Sequence, residues 1–237
     1  MSLERIRKDI KRCGHSITIV QQGMVPRYAY TVGLRESCGF ELILAGGAVY
    51  ELDEVNIIMK LLVSACFESG YSREVRSKAH GTFSIGESHP TWNKKMLLAA
   101  MAFYKMDTVP ARQIIPDKIH TTVDVPLLSE KWDGVHQPIW KWLAGEWDLP
   151  IPSTSTAVTN LSALKGEPVT EASRWEDDEW ELFAGPGPDV PQSEMRVVPI
   201  GTLLGADKSL ARIIELPVGK ALWRDPIEMQ WHDWAAA

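Results

Sequence analysis

The sequence predicts an α+β fold: a mainly antiparallel sheet with packed helices, plus a smaller C-terminal α+β module. Three observations predict it. Short β-branched or aromatic runs near the start each end at a glycine or a turn signal. Apolar residues then recur at helical spacing from Val55 onward. A stretch rich in proline, serine and threonine finally separates this pattern from a second one with strands and turns of its own. The organisation read from these is an N-terminal domain over 1–148, a linker over 149–170 and a C-terminal module over 171–237.

The elements follow in chain order. Residues 4–13 carry charges with Ile6 and Ile10 one helical turn apart, a short helix. Ser16–Val20 is β-branched, Tyr28–Val32 alternates aromatic and small residues, and Phe40–Ala45 is a third apolar run. Three strands so closely spaced predict an antiparallel meander. Asp53 can cap a helix whose stripe is Val55, Ile58, Leu62 and Cys66, with Gly70 as its stop. A strand at Gly81–Ile85, a helix capped by Asn93 and running to Tyr104, and a strand at Ala111–Ile115 come next. Pro138 suits the first turn of a helix reaching Trp147. Beyond the proline-rich stretch, Trp175–Phe183, Met195–Pro199 and Gly219–Arg224 read as extended, and Asp207 can cap a short helix through Ile214.

Composition excludes several classes. Lys plus Arg is 25 and Asp plus Glu is 31, a net charge of -6, which argues against a nucleic-acid-coating protein. The segment Val55–Phe67 is interrupted by Asn56, Lys60 and Ser64 and does not suit a membrane span. Cys13, Cys38 and Cys66 form no C-x-x-C pair, and the start Met1–Lys8 is charged, so reduced thiols and a cytoplasmic address are expected. None of the six histidines forms a metal-binding pair at helical spacing, although His120 follows Asp117 by three residues and can approach it in a turn. There is no G-x-S-x-G elbow and no phosphate-binding glycine loop. Hence no catalytic residue, no metal site and no cofactor is assigned.

Two constellations remain. The run Trp175-Glu176-Asp177-Asp178-Glu179-Trp180, read as a strand, alternates faces: Asp177 and Glu179 with Trp175, Glu176 and Asp178 with Trp180. It reads either as a landing site for a basic protein surface, with the tryptophans as anchors, or as a solvated edge strand protected by charge. Tyr28, Tyr30 and Thr31, with Glu41 on the next strand, make a candidate pocket or a structural hydrogen-bonded group. The segment holding Trp132, Trp140, Trp142 and Trp147 reads as packing, with a homo-oligomer contact or a sugar platform as the alternatives.

Two resemblances follow from these blocks. Tyr28-Ala29-Tyr30-Thr31-Val32-Gly33-Leu34, then Glu41-Leu42-Ile43-Leu44, Asn56 and Gln113-Ile114-Ile115-Pro116-Asp117, resemble the uncharacterised bacterial domain of unknown function 4262. Trp175–Trp180, Val198–Leu204, Asp207, Leu216–Gly219 and Arg224 resemble domain of unknown function 2185, whose members include proteins regarded as immunity proteins. The second resemblance implies a cytoplasmic bacterial protein that neutralises a cognate protein toxin by direct contact, with neither nucleic acid nor membrane as partner. A small hydrolase-like enzyme using Tyr28, Tyr30 and Glu41, or a scaffold built on the tryptophan-rich segment, are the alternatives.

Overall fold

A computed structural model describes residues 2–69 and 74–234. Its helices and two mixed six-stranded sheets make it an α+β protein. The chain divides into two compact units: one holds 1–21, 27–121 and 125–133, the other 22–26, 122–124 and 134–237.

The first unit begins with α1 (Leu3–Cys13), whose N-cap Ser2 accepts from Arg5 N and whose end is turned by Gly14 at φ 78°. β1 (Ser16–Val20), β2 (Tyr28–Val32) and β3 (Glu41–Ala45) form the expected antiparallel meander, with the short α2 (Arg35–Cys38) between the last two. α3 (Leu52–Ser69) follows, then β4 (Glu74–Ser77) and β5 (Gly81–Glu87) as a hairpin. The expected stop at Gly70 lies outside the described residues. After α4 (Pro90–Met96) and α5 (Leu98–Tyr104), β6 (Ala111–Pro116) inserts parallel to β3 and completes the order β1-β2-β3-β6-β5-β4. Ala29, Leu42 and Leu44 join Val55, Ile58, Met59 and Leu62 of α3 in one apolar cluster. Burial of that stripe holds α3 to the sheet.

The helix expected from Asn93 to Tyr104 is two helices. His89, not Asn93, caps the first, its Nδ1 accepting from Thr91 N. Asn93 lies inside α4, buried, where Nδ2 donates to Val109 O and Oδ1 accepts from Ser88 Oγ. The backbone leaves the helical region at Leu97 (ψ 43°), which separates α4 from α5.

The second unit contains β7 (Thr156–Asn160), α6 (Leu161–Leu164), β8 (Glu171–Arg174), β9 (Glu179–Phe183), β10 (Met195–Pro199), α7 (Ile200–Ala206), β11 (Lys220–Arg224) and β12 (Trp231–Asp233). Their order is β10-β7-β9-β8-β11-β12, with β7 and β9 parallel and the other pairs antiparallel. Residues 149–170 thus contain a strand interior to the sheet, where a linker is expected. The alternation Thr156-Ala157-Val158-Thr159 is a strand pattern hidden by the prolines around it. The segment after Pro138 is a 3₁₀ helix ending at Leu143, not a helix to Trp147. Trp142 packs on Gly201 of α7, where a Cβ would lie 2.4 Å from the indole. Trp142 and Trp147 pack with their rings tilted by 38° and centroids 4.4 Å apart, and the indole of Trp140 donates to Asp124 O. Asp207 does cap the turn after α7, accepting from Ser209 N.

Among the described residues, no helix is long and apolar enough to cross a membrane.

Candidate functional site

β8 and β9 are interior strands joined by a tight turn, and the acidic run is that turn. Trp175 N and Glu176 N both donate to Glu179 O. The chain therefore reverses over residues 175–178, and β9 begins only at Glu179. Neither the alternating strand face nor the protected edge expected from sequence exists. What stands at the sheet's end is a hairpin tip carrying the exposed side chains of Trp175, Glu176, Asp177 and Glu179.

Arg174 builds this tip. Its Nε donates to Glu176 O, Nη2 to Asp177 O at 2.8 Å and Nη1 to Leu216 O at 3.0 Å. Five fixed donors on a planar group suit three carbonyls in different directions better than a lysine would. The guanidinium also lies 4.8 Å from the centroid of Trp180. Gly219 N donates to Arg174 O, bringing the Pro217–Gly219 turn alongside. Thr154 Oγ1 donates to Asp178 Oδ2, and Thr156 N donates to Asp178 O.

The six residues singled out from sequence therefore divide. Trp180 is 1% exposed and belongs to the core, so it cannot anchor a partner. Asp178 is half-buried and engaged with Thr154. Trp175, at 54% exposure, and the carboxylates of Glu176, Asp177 and Glu179 face outward. Among the described residues, no lysine or arginine forms an ion pair with these three carboxylates. Arg174 contributes one positive charge within the turn through backbone carbonyls, which leaves the tip net negative.

The Tyr28, Tyr30, Thr31 and Glu41 group is only partly brought together. Tyr28 and Tyr30 share a face of β2, with ring centroids 6.2 Å apart. Tyr30 Oη is used by α5, accepting from Ala99 N. Glu41, fully buried, instead gathers Thr31 Oγ1, Gly33 N, Arg35 N and Tyr104 Oη around its carboxylate. Tyr104 donates at 2.6 Å, and burial followed by the bond to Glu41 raises its pKa. Such saturation of a buried carboxylate is how a structural node looks. Sequence reasoning missed Tyr104 because it lies 63 positions from Glu41.

A third cluster lies in the turn after β6. His120 Nδ1 bonds to Asp117 Oδ1 at 2.7 Å, the approach expected from their spacing. Tyr50 stacks on the imidazole, 5.9 Å between centroids. Thr82 N donates to Asp117 Oδ2 at 2.7 Å, the main reason this carboxyl titrates below its ordinary range. A carboxylate that orients an imidazole can support proton transfer. Among the described residues, however, no serine, threonine or cysteine side chain bonds to His120, and no three His, Cys, Asp or Glu side chains converge as metal ligands.

Residues 9–120 match the family model of domain of unknown function DUF4262. The match spans β1–β6, the Glu41 node and the Asp117–His120 pair, and so bears out the expected N-terminal resemblance. The hairpin lies outside it. No curated protein and no solved structure matches the chain.

Within the second unit, two residues that carry the other resemblance meet. Arg224, 2% exposed, places Nη2 3.0 Å from Asp207 Oδ2 and donates through Nε to Val169 O and through Nη1 to Ser209 Oγ. Burial opposes ionisation of Asp207, but the Ser209 and Arg224 bonds prevail and lower its pKa.

Proposed function

We propose that the protein works by binding another protein, as an immunity-type inhibitor that neutralises a toxin with a cationic surface. The observation that carries this reading is the Arg174-braced hairpin tip, which presents Trp175 and three unpaired carboxylates. An aromatic with few rotatable bonds on a braced backbone loses little entropy on binding, and charge of one sign steers a partner of the other. Nuclease toxins bind phosphate through cationic surfaces, so an acidic knob fits the surface they need for activity. The C-terminal resemblance to domain of unknown function 2185 points the same way.

The test is whether the tagged protein captures, and protects cells from, a protein encoded beside its gene that is toxic when expressed alone, with wild type and Glu176→Lys/Asp177→Lys compared. The reading predicts capture and protection from the toxin with wild type, and loss of both with the variant. Equal capture and protection by the two proteins would refute it.

A further inference from the structure

At the other end of the same strands lies a pocket of about 710 Å³, within the range of small-molecule sites. Its aromatic walls are Trp223 and Trp234, 43% and 51% exposed, and Pro168, Pro186 and Pro226 line it further. Glu171 lies on the lining, directly across the ladder from Trp223. On the other side of Trp223 comes His232, with ring centroids 4.9 Å apart. Glu171 is held in place: Gly187 N donates to its Oε2 at 2.8 Å. A Cβ on Gly187 would lie 2.9 Å from Phe183 and 3.2 Å from the same carboxylate oxygen, so the loop can make this approach only as glycine.

The charge balance of the pocket is negative. Arg224 also lines it, but that guanidinium is bound to Asp207, Ser209 and Val169 O. Among the described residues, neither Glu171 nor Glu167 on the rim has a cationic partner. Indole faces beside an uncompensated carboxylate are the general recipe for a cation with an apolar shell, because the ring quadrupole and the carboxylate attract the same charge. A sugar or a neutral apolar guest would leave the carboxylate without a counter-charge.

We infer that this pocket is a binding site for a small organic cation of the quaternary ammonium class, seated between Trp223 and Trp234 with Glu171 as its counter-ion. The inference is independent of the hairpin and stands whether or not a toxin is bound there.

Choline and its uncharged isostere 3,3-dimethylbutan-1-ol provide the test, titrated into the full chain by calorimetry with indole fluorescence in parallel. Choline should bind at least about tenfold more tightly than the isostere. Glu171→Gln keeps the acceptor for Gly187 N and therefore the fold, yet should lose about tenfold in choline affinity. Trp223→Ala should lose at least as much, and Trp175→Ala should change nothing. Equal binding of choline and the isostere would show a merely apolar cavity and overturn the inference. So would the absence of binding at millimolar choline, or choline binding that survives both pocket substitutions. Displacement of choline by a proline-rich peptide that binds more tightly to wild type and Glu171→Gln alike would overturn it too, by assigning the pocket to a neutral peptide.

Discussion

The guanidinium of Arg174 lies 4.8 Å over the indole of Trp180. One arginine thereby joins the buried core of the second sheet to the backbone of an exposed acidic turn. Trp180, fully buried, fixes the stem, and Arg174 fixes the tip through the carbonyls of Glu176 and Asp177. Trp180 thus supports the turn from below, while Trp175 is exposed at its surface.

Arg174→Met keeps an apolar stem over Trp180 and removes every bond to the three carbonyls. A loss of about 1–3 kcal/mol is expected, because the bonds are charge-assisted but partly exposed. Urea denaturation measures it. Amide exchange should show the largest loss of protection at Trp175 and Glu176, whose N–H groups close the turn.

Tyr104→Phe removes one of the donors to Glu41 but leaves the backbone N–H groups of Gly33 and Arg35 in place. It should cost about 1–2 kcal/mol. Glu41→Ala strands those donors beside a cavity and should cost about 3 kcal/mol or more. A Tyr104→Phe variant as stable as wild type would contradict a structural role for this node.

Asp117 supplies a pH dependence with a definite sign. Its pKa is lowered from 3.8, first by the N–H of Thr82 and then, against burial, by His120. A group with a depressed folded pKa stabilises the protein above its unfolded value, and that contribution is lost as pH falls through the folded value. The stability gap between wild type and Asp117→Asn should therefore be full above the ordinary carboxylate range and should close as pH falls through the lowered folded value. Denaturation curves across that range check it; a gap that widens on acidification would contradict the assignment.

Gly81 and Gly39 separate two effects of glycine. Both have positive φ, 87° and 84°. A Cβ on Gly81 would lie 2.4 Å from His120 Nδ1 and 2.5 Å from Asp117 Oδ2, whereas nothing lies within 4 Å of one on Gly39. Gly39→Ala should cost about 1 kcal/mol from backbone strain alone. Gly81→Ala should cost about 2–3 kcal/mol and disturb the His120 resonances, since the Asp117–His120 pair must move. Equal costs would show that the close approach is relieved without displacing the pair.

Much of the first unit was legible in the sequence because its signals are local. The glycine-terminated runs give β1 to β3 in order, and the stripe from Val55 to Cys66 gives α3. The parallel insertion of β6 beside β3 was not legible, since it pairs Glu41 with Ala111 and no local pattern encodes such a partner. The acidic run is legible as a cluster of charge, but the strand expected for it is a turn. Four adjacent acids are compatible with strand or turn, and what decides between them is Arg174 with the Glu179 carbonyl, a bond network invisible to periodicity. Trp180 shows the same limit: its spacing from Trp175 gave no sign that one is exposed and the other buried.

The most direct test of the proposed function is the salt dependence of the association rate between the protein and its captured toxin, for wild type and Glu176→Lys/Asp177→Lys. An acidic tip that steers a cationic partner predicts a wild-type rate that falls steeply as salt is raised. The charge-reversed protein should associate at least about tenfold more slowly at low salt. Equal rates for the two proteins, with the same salt dependence, would contradict a hairpin-mediated contact.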